Sequence, residues 1–595
     1  MDAASTNAVP PFTNWTTAAA NIQDAVDAAA PGDEIVVTNG VYQTGVRDVY
    51  GMSTRVAVAK PVTVRSVNGP AVTSIVGSGW NSPELARCVY LTNGAVLSGF
   101  TLTNGASSGG WYTNSCGGGA WCEGPSAVLS NSVITGCWAY DDGGGVFGGT
   151  LNNCVLADND AFYGGGAYSS ILNNCTLTGN WGEGGGGAYA STLNNCTLST
   201  NAAWDGGGAT QCVLNNCTLA GNSSASGGGA LDCTLKNCTL TGNTADYGGG
   251  AYSSTLTSCT LSANFADSIW TDITKGGGAY DSALDNCVVT GNTAVGEFGQ
   301  GGGVFSSTLN NCYIATNYAG GSGGGASGST LNNCIIVGNS SGVEGGGGGV
   351  SVSTLNNCTL TGNSAGTGGG AASSTLKNCI VYYNSDVFGY GNHAGCTINH
   401  SCTTPAPESG VGNFTNAPLF VDANGWSNLR LQSNSPCISR GNNLFAMNST
   451  DLDGRPRLVG DVVDMGAYEY QGPGTGEFIG WLQQSGLPTD GSVDYVDTDY
   501  DVHNNWQEWV AGTNPTNALS VLWLAAPVIT PTNVTLTWTS VTNRTYTLEQ
   551  ATNLGGPPAF SVLRSNLAGL PGTTSWTDSN APVASPRFYQ LRVSP

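Results

Sequence analysis

The sequence predicts an all-β fold whose body is a right-handed parallel β-helix solenoid, begun by an N-terminal capping helix and followed by a small acidic-loop segment and a C-terminal β-sandwich. Three observations carry that expectation: a repeat core of constant length, insertions confined to one corner, and apolar residues alternating with polar ones inside each repeat. From Cys154 to Cys379 there are eleven copies of a unit whose cleanest form is Gly185-Gly-Gly-Ala-Tyr-Ala-Ser-Thr-Leu-Asn-Asn-Cys196-Thr-Leu-Ser-Thr-Asn201. In every copy the third Gly lies nine residues before the Cys, a Leu three before it and an Asn five after it. Successive Cys are 21, 21, 21, 21, 21, 28, 25, 22, 24 and 21 residues apart, and the variation falls between that Asn and the next Gly triplet. A period of this size with one tolerant corner marks a solenoid.

Within a copy, Cys175-Thr-Leu-Thr178 alternates, which sets Cys and Leu on one face and the threonines on the other. Short strands of this kind, three per turn of chain, bury their apolar face only by stacking on the next copy, with the right-handed crossover that parallel strands adopt. At about 4.8 Å per coil the eleven repeats span about 50 Å. The Leu column (Leu151 to Leu376) fills the bore, the Asn column (Asn159 to Asn384) forms an amide ladder, and the Gly triplets supply corners or close backbone approach. Parallel in-register cysteines direct their Cβ vectors side by side, which is poor geometry for a disulfide, so the eleven read as buried thiols acting as small hydrophobes. A thiolate zinc column lacks histidine partners. Cys116 with Cys122, Cys396 with Cys402, and Cys212 with Cys233 are candidate local bridges.

A chain of 595 residues with 90 Gly, 9% charged residues and a net charge of −23 describes an acidic surface rich in Asn, Thr and Gly, which excludes nucleic acid as a partner. No run of eighteen apolar residues spans a membrane. Met1-Asp2 runs straight into a polar segment, and the reading is a start placed on a mature exported chain, extracellular or at the cell surface.

Residues 15–30, from Trp15 to Ala30, form an amphipathic helix with Ile22 and Val26 on one face, ended by Pro31-Gly32 before the strand Glu34-Ile-Val-Val37. Such a helix covers the open end of a β-helix. Together with Lys60-Pro-Val-Thr-Val-Arg65 and Leu97-Ser-Gly-Phe-Thr-Leu-Thr-Asn-Gly105, this start resembles the pectin-lyase-like β-helix superfamily over roughly the first 470 residues. That superfamily holds lyases, hydrolases, adhesins and structural stalks, so the resemblance implies fold and leaves chemistry open. Asn416-Ala-Pro-Leu-Phe-Val-Asp422, Ser435-Pro-Cys437, Asp451-Leu-Asp-Gly-Arg-Pro-Arg457 and Asp464-Met-Gly-Ala-Tyr-Glu469 resemble the closing module called choice-of-anchor Q. The Arg and carboxylate residues here read as a salt-bridged end cap, with a catalytic cluster as the alternative, because closing a solenoid needs a polar terminal surface; the resemblance implies an exported bacterial protein.

After the linker-like Gln471-Gly-Pro-Gly-Thr-Gly476, oxygen donors stand at EF-hand or dockerin offsets 1, 3, 5, 9 and 12: Asp497, Asp499, Asp501, Asn505 and Glu508, with the position-seven carbonyl from His503. Calcium is the expected cofactor, and a solvated acidic loop is the alternative. Position six, normally Gly, is Val502, which puts the turn in question. Alternation in Val534-Thr-Leu-Thr-Trp-Thr539, Thr545-Tyr-Thr-Leu-Glu549 and Arg587-Phe-Tyr-Gln-Leu-Arg-Val593 predicts the antiparallel β-sandwich. The resulting organisation is a cap with the first coils (1–96), a repeat β-helix (97–402), a closing module (403–470), a linker (471–476), a calcium-loop segment (477–520) and a sandwich (521–595).

Function is expected at the tolerant corner. Trp138, Tyr163, Trp181, Trp204, Tyr247 and Trp270 alternate there with carboxylates, an arrangement suited to stacking on sugar faces while acids bond hydroxyls. Residues two after each triplet, such as Trp121, Phe147, Tyr168, Tyr189, Tyr252, Tyr280 and Phe305, run beside them, and the alternative is that these rings stack on one another as part of the solenoid. Asp141, Asp142, Asp158 and Asp160 are the candidate acids for a glycoside hydrolase. Basic residues are too scarce for uronate elimination, since only Lys236, Lys275, Lys377, His393 and His400 fall between Arg87 and Arg430. The favoured reading is a non-catalytic rod that binds polysaccharide or another surface, with envelope attachment through the C-terminal region; the alternative is a β-helix glycoside hydrolase. An ordered-water face of outward Thr pairs such as Thr176/Thr178 is interrupted by Val155, Val288, Tyr313 and Ile335.

Overall fold

A computed structural model describes the chain except residues 110–111, 269–272, 423–425, 460, 472–475, 490–492, 531, 553–559, 580–586 and 595, and the side chains of 112–113, 476–477 and 479. It divides into two compact units: Met1–Ala417 with Arg440–Arg457 and Met465–Tyr468, and Pro418–Ser439 with Leu458–Asp464 and Glu469–Pro595.

The first unit is the parallel β-helix. Three sheets of sixteen strands run its length, so the solenoid has more coils than the eleven clean repeats and spans about 70 Å. Thr192–Asn194, Thr197–Ser199 and Ala209–Thr210 are the three strands of one coil, each pairing in register with its copy on the next. Three bends of this coil are each made by one residue in the left-handed region followed by one inward side chain. Asn195 (φ 54°) precedes Cys196, Thr200 (φ 53°) precedes Asn201, and Ala190 (φ 48°) precedes Ser191. In the Gly triplet, Gly185 turns at φ 62°, whereas a Cβ on Gly187 would meet the Gly208 carbonyl at 2.5 Å. The triplet therefore serves both roles expected of it.

Inward columns become ladders. Asn180 donates from Nδ2 to Asn201 Oδ1 (2.9 Å) and to the Leu156 carbonyl (2.9 Å), and its backbone N–H reaches the same Asn201 oxygen (3.1 Å). The ladder ends on Asn392, whose Oδ1 accepts from Asn384 and whose Nδ2 donates to Thr404. In the Cys column, Cys196 N–H donates to Cys217 Sγ (3.4 Å) while its own thiol points at the Leu172 and Asn194 carbonyls. None of the twenty cysteines is disulfide-bonded. Burial pushes the thiols of Cys233, Cys334 and Cys379 well above their ordinary value, as expected of neutral groups in an apolar bore. A third ladder, unforeseen in the sequence, runs along the remaining corner: Ser170 N–H bonds Ser191 Oγ, Ser191 N–H bonds Cys212 Sγ, Cys212 N–H bonds Cys233 Sγ, and Cys233 N–H bonds Ser254 Oγ. Cys212 and Cys233 are thus serine replacements on neighbouring coils. Cys116, Cys122, Cys396 and Cys402 likewise form no bridge.

At the start, helix Ile22–Ala28 buries Ile22, Ala25 and Val26 and is capped by Asn21 accepting from the Asp24 N–H. Lys60 donates to the carbonyls of Val26, Asp27 and Ala29, placing a cation at the negative end of the helix. Residues 440–457 and 465–468 lie along the flank of the last coils: Asn378 and Asn442 exchange two bonds, Ala467 N–H donates to Thr359 Oγ1, and buried Arg457 donates to the Ala467 carbonyl.

The second unit holds two three-stranded antiparallel sheets. Leu536, Trp538, Tyr546 and Leu548 form their buried core, in line with the expected small β domain. Helix Asn505–Ala511, capped by Asn504 and closed by Gly512 at φ 77°, sits in a separate cluster with Phe478, Leu482 and Trp506.

Candidate functional site

The tolerant corner carries strands of its own, a fourth sheet outside the three predicted per coil. Asp160–Tyr163 pairs with Trp181–Gly184, which pairs with Ala202–Asp205. Register sets Asp160 against Trp181 on one side and Trp138 on the other, a carboxylate between two indoles. Burial there raises the Asp160 carboxyl above its ordinary value.

Two open clefts share Phe162 and Tyr163. One, of about 550 Å³, is bordered by Trp138, Tyr140, Asp141 and Asp142. The other, of about 330 Å³, is bordered by Glu183, Tyr189, Trp204 and Asp205 above Thr210 and Leu231. Trp204 is 65% exposed and Trp181 42%. Neither is drawn into the solenoid, because both stand on the outer strand.

The neighbouring column behaves differently. Tyr90, Trp121, Phe147, Tyr168 and Tyr189 stack ring on ring, with centroids 5.5 to 6.0 Å apart and planes within 14°. Thr210 and Leu231 occupy the next two places, and the rings resume with Tyr252, Tyr280 and Phe305. These residues are the solenoid's own stacking column. Tyr163 leans on it at Tyr189 (5.0 Å) and Tyr247 at Tyr280 (6.0 Å), so these two corner rings buttress the stack as well as face solvent. Trp270 lies outside the described residues.

The four candidate acids are not brought to one point. Asp158 is exposed at a left-handed bend (φ 54°), separated from Asp160 by inward Asn159. Asp142 pairs in register with Tyr163, three residues along from Asp160, about 10 Å on an extended strand. Asp142 is also buried and accepts from the Cys116 thiol at 3.8 Å. Sequence reading missed Phe162, the ring shared by both clefts, and the interruption at Thr210 and Leu231, which was visible as two non-aromatic residues in an otherwise aromatic column.

In the second unit, Asp497, Asp499 and Asp501 offer carboxylate oxygens all within 4.8 Å of one another and could hold a metal ion. Buried Glu508 directs Oε2 to no protein partner, as do Asp499 through both oxygens, Asp501 through Oδ2 and Asn505 through Oδ1. Such a set of orphaned oxygens fits a hard cation. Without one, burial and then Asp499 and Asp501 push the Glu508 carboxyl up to about 8. Asp497 accepts from the N–H groups of Asp501 and Val502, closing the loop. Val502 makes the turn at φ 83°, the conformation Gly would take there. His503 donates its N–H to Asp501.

No protein-family model and no curated protein matches the chain. Among solved structures it is similar to a PL6 family alginate lyase, AlyGC (11% identity, 66% of this chain and 73% of that one, TM-score 0.29). It is also similar to the Dettilon tailspike protein (11%, 64% and 68%, TM-score 0.26) and to PfbA, a surface adhesin of Streptococcus pneumoniae (12%, 53% and 83%, TM-score 0.23). Among the described residues no helix is long and apolar enough to cross a membrane. The chain is a parallel β-helix protein.

Proposed function

We propose that this chain is an extracellular or cell-surface rod that binds polysaccharide through its tolerant corner, without catalysing a reaction on it. One observation carries the reading: Trp181 and Trp204 stand exposed on neighbouring strands of the outer sheet, Trp204 on the border of a cleft rimmed by carboxylates, and neither is stacked into the solenoid's ring column. A large ring left in water beside a cleft is suited to contact, and indole faces with nearby carboxylates match the apolar faces and hydroxyl edges of pyranoses. The spread of Asp141, Asp142, Asp158 and Asp160 supports binding over hydrolysis, which needs a facing carboxyl pair. In the second unit we read Asp497, Asp499, Asp501, Asn505 and Glu508 with the His503 carbonyl as a calcium loop. The 403–470 segment we read as a choice-of-anchor-like closing module, with attachment to the envelope through the C-terminal region.

Affinity electrophoresis and a reducing-sugar assay across a polysaccharide panel test this reading. Trp181→Ala and Trp204→Ala should each weaken binding by roughly 1 kcal/mol while leaving the melting temperature in place. Lower melting with unchanged binding would make the indoles structural. Release of sugar that Asp160→Asn abolishes while binding survives would make the chain a hydrolase.

A further inference from the structure

The solenoid's ring column is broken at two consecutive coils, and the break coincides with the smaller cleft. Tyr189 and Tyr252 are three coils apart in the same register, and Thr210 and Leu231 stand where two further rings would complete the stack. With smaller side chains at these two places, the column is recessed over about 10 Å along the axis. Thr210 is folded inward, its hydroxyl bonded to the Asp205 carbonyl at 3.1 Å, and does not fill that recess. Trp204 and Tyr163 both border it. The first run of the column thus ends at Tyr189, where the next flat ring would belong.

Charge around the recess has a single sign. Glu183, Asp205 and Asp232 are exposed on its border. Between Arg87 and Lys275 the sequence holds eleven carboxylates and one base, Lys236. Lys236 ends a strand of another sheet, paired with Asn215 and Thr257, and Lys275 lies over the ring of Phe305 further along the rod. No cation among the described residues borders the recess to neutralise an acidic sugar.

We infer that the gap at Thr210 and Leu231 is a subsite for an uncharged pyranose of a neutral polysaccharide, seated as a substitute for the missing rings, and that the same carboxylate rim rejects polyuronates. This rests on the polysaccharide-binding reading above and specifies its ligand class. Sugar hydroxyls donate to the rim carboxylates, whereas a uronate would meet three like charges with no counter-charge.

The full chain is titrated with neutral glucan, mannan, galactan and xylan, and with alginate and polygalacturonate, at low and at moderate salt. At least one neutral polymer should bind, with affinity changing less than twofold between the two salts, and both polyuronates should bind at least tenfold more weakly at low salt. Thr210→Tyr with Leu231→Tyr should complete the stack, keep or raise the melting temperature and cut neutral-glycan binding at least tenfold. As a second probe that leaves the column untouched, Glu183→Lys with Asp232→Lys should raise polyuronate binding at least tenfold. Polyuronate binding as tight as neutral binding overturns the ligand class, as does a lysine variant without that gain. Full neutral-glycan affinity in a folded double-tyrosine variant overturns the subsite while leaving polysaccharide binding intact. Binding of no polymer overturns the polysaccharide reading itself, and the subsite with it.

Discussion

Asn222 shows how much one side chain holds in a ladder. Its Oδ1 accepts from both the backbone and side-chain nitrogens of Asn201 (3.0 Å each), and its Nδ2 donates to Asn243 Oδ1 and the Leu198 carbonyl. Every one of these atoms lies in a buried column. Asn222→Leu therefore strands two donors on one coil and leaves the Asn243 and Leu198 oxygens short of a partner, at about 1–3 kcal/mol for each group left unmet. A loss of about 3–5 kcal/mol is expected in urea titration, against less than about 1 kcal/mol for Asn216→Ala at an exposed bend. The Asn column was legible because it never varies across eleven copies. The serine ladder was not, because Gly149, Cys212 and Cys233 interrupt it and the two cysteines invite a disulfide reading. Only the register, which sets those cysteines on successive coils of a parallel stack, shows them to be substitutes for serine.

At the scale of an element, the acidic loop separates what a motif specifies from what geometry adds. The donor offsets in 497–508 were plain in the sequence; that Val502 would turn at φ 83° was only a doubt about a missing Gly. A β-branched residue there is strained by about 1–2 kcal/mol, and its side chain, 88% exposed, gains nothing in return. Val502→Gly should therefore tighten calcium binding by about tenfold, measured by titration calorimetry, and Asp497→Ala with Glu508→Ala should remove the response. Protons report on the same site. Glu508 is pushed up to about 8 when no cation is present, against about 4.3 in an unfolded chain, so between those values the folded loop holds a proton that the unfolded chain lacks. Metal-free stability of this segment should fall as pH rises through that window. Calcium takes the proton's place, so the melting temperature with calcium should be flat over the same range, and binding at pH 7 should release a proton, seen as a dependence of binding heat on buffer ionisation enthalpy. A chelator-insensitive, pH-independent transition would return the loop to a merely solvated acidic turn.

For the molecule as a whole, the repeat makes length a free variable and register a strict one. Through the repeats each coil is paired to the coils before and after it, and the registers of the three sheets recur from copy to copy, so the stability of the repeat region is close to a sum over coils. Excising residues 239–259 removes one period and joins Cys238 to Thr260, leaving every column continuous: Leu235 would then stack beneath Leu284, Asn222 beneath Asn264 and Ala230 beneath Ala279. Such a chain should stay soluble and cooperative, shortened by about 4.8 Å in small-angle scattering and melting within a few degrees of the parent. Excising only residues 239–248 deletes as little as half a coil, yet it drives Gly249 and Gly250 into the place of a strand and sets inward positions against outward ones, so the apolar column would face water. That shorter deletion should be insoluble or fail to melt cooperatively. If both deletions behave alike, stability resides outside the stacked columns, and the ladders seen along the bore are not what holds the rod together.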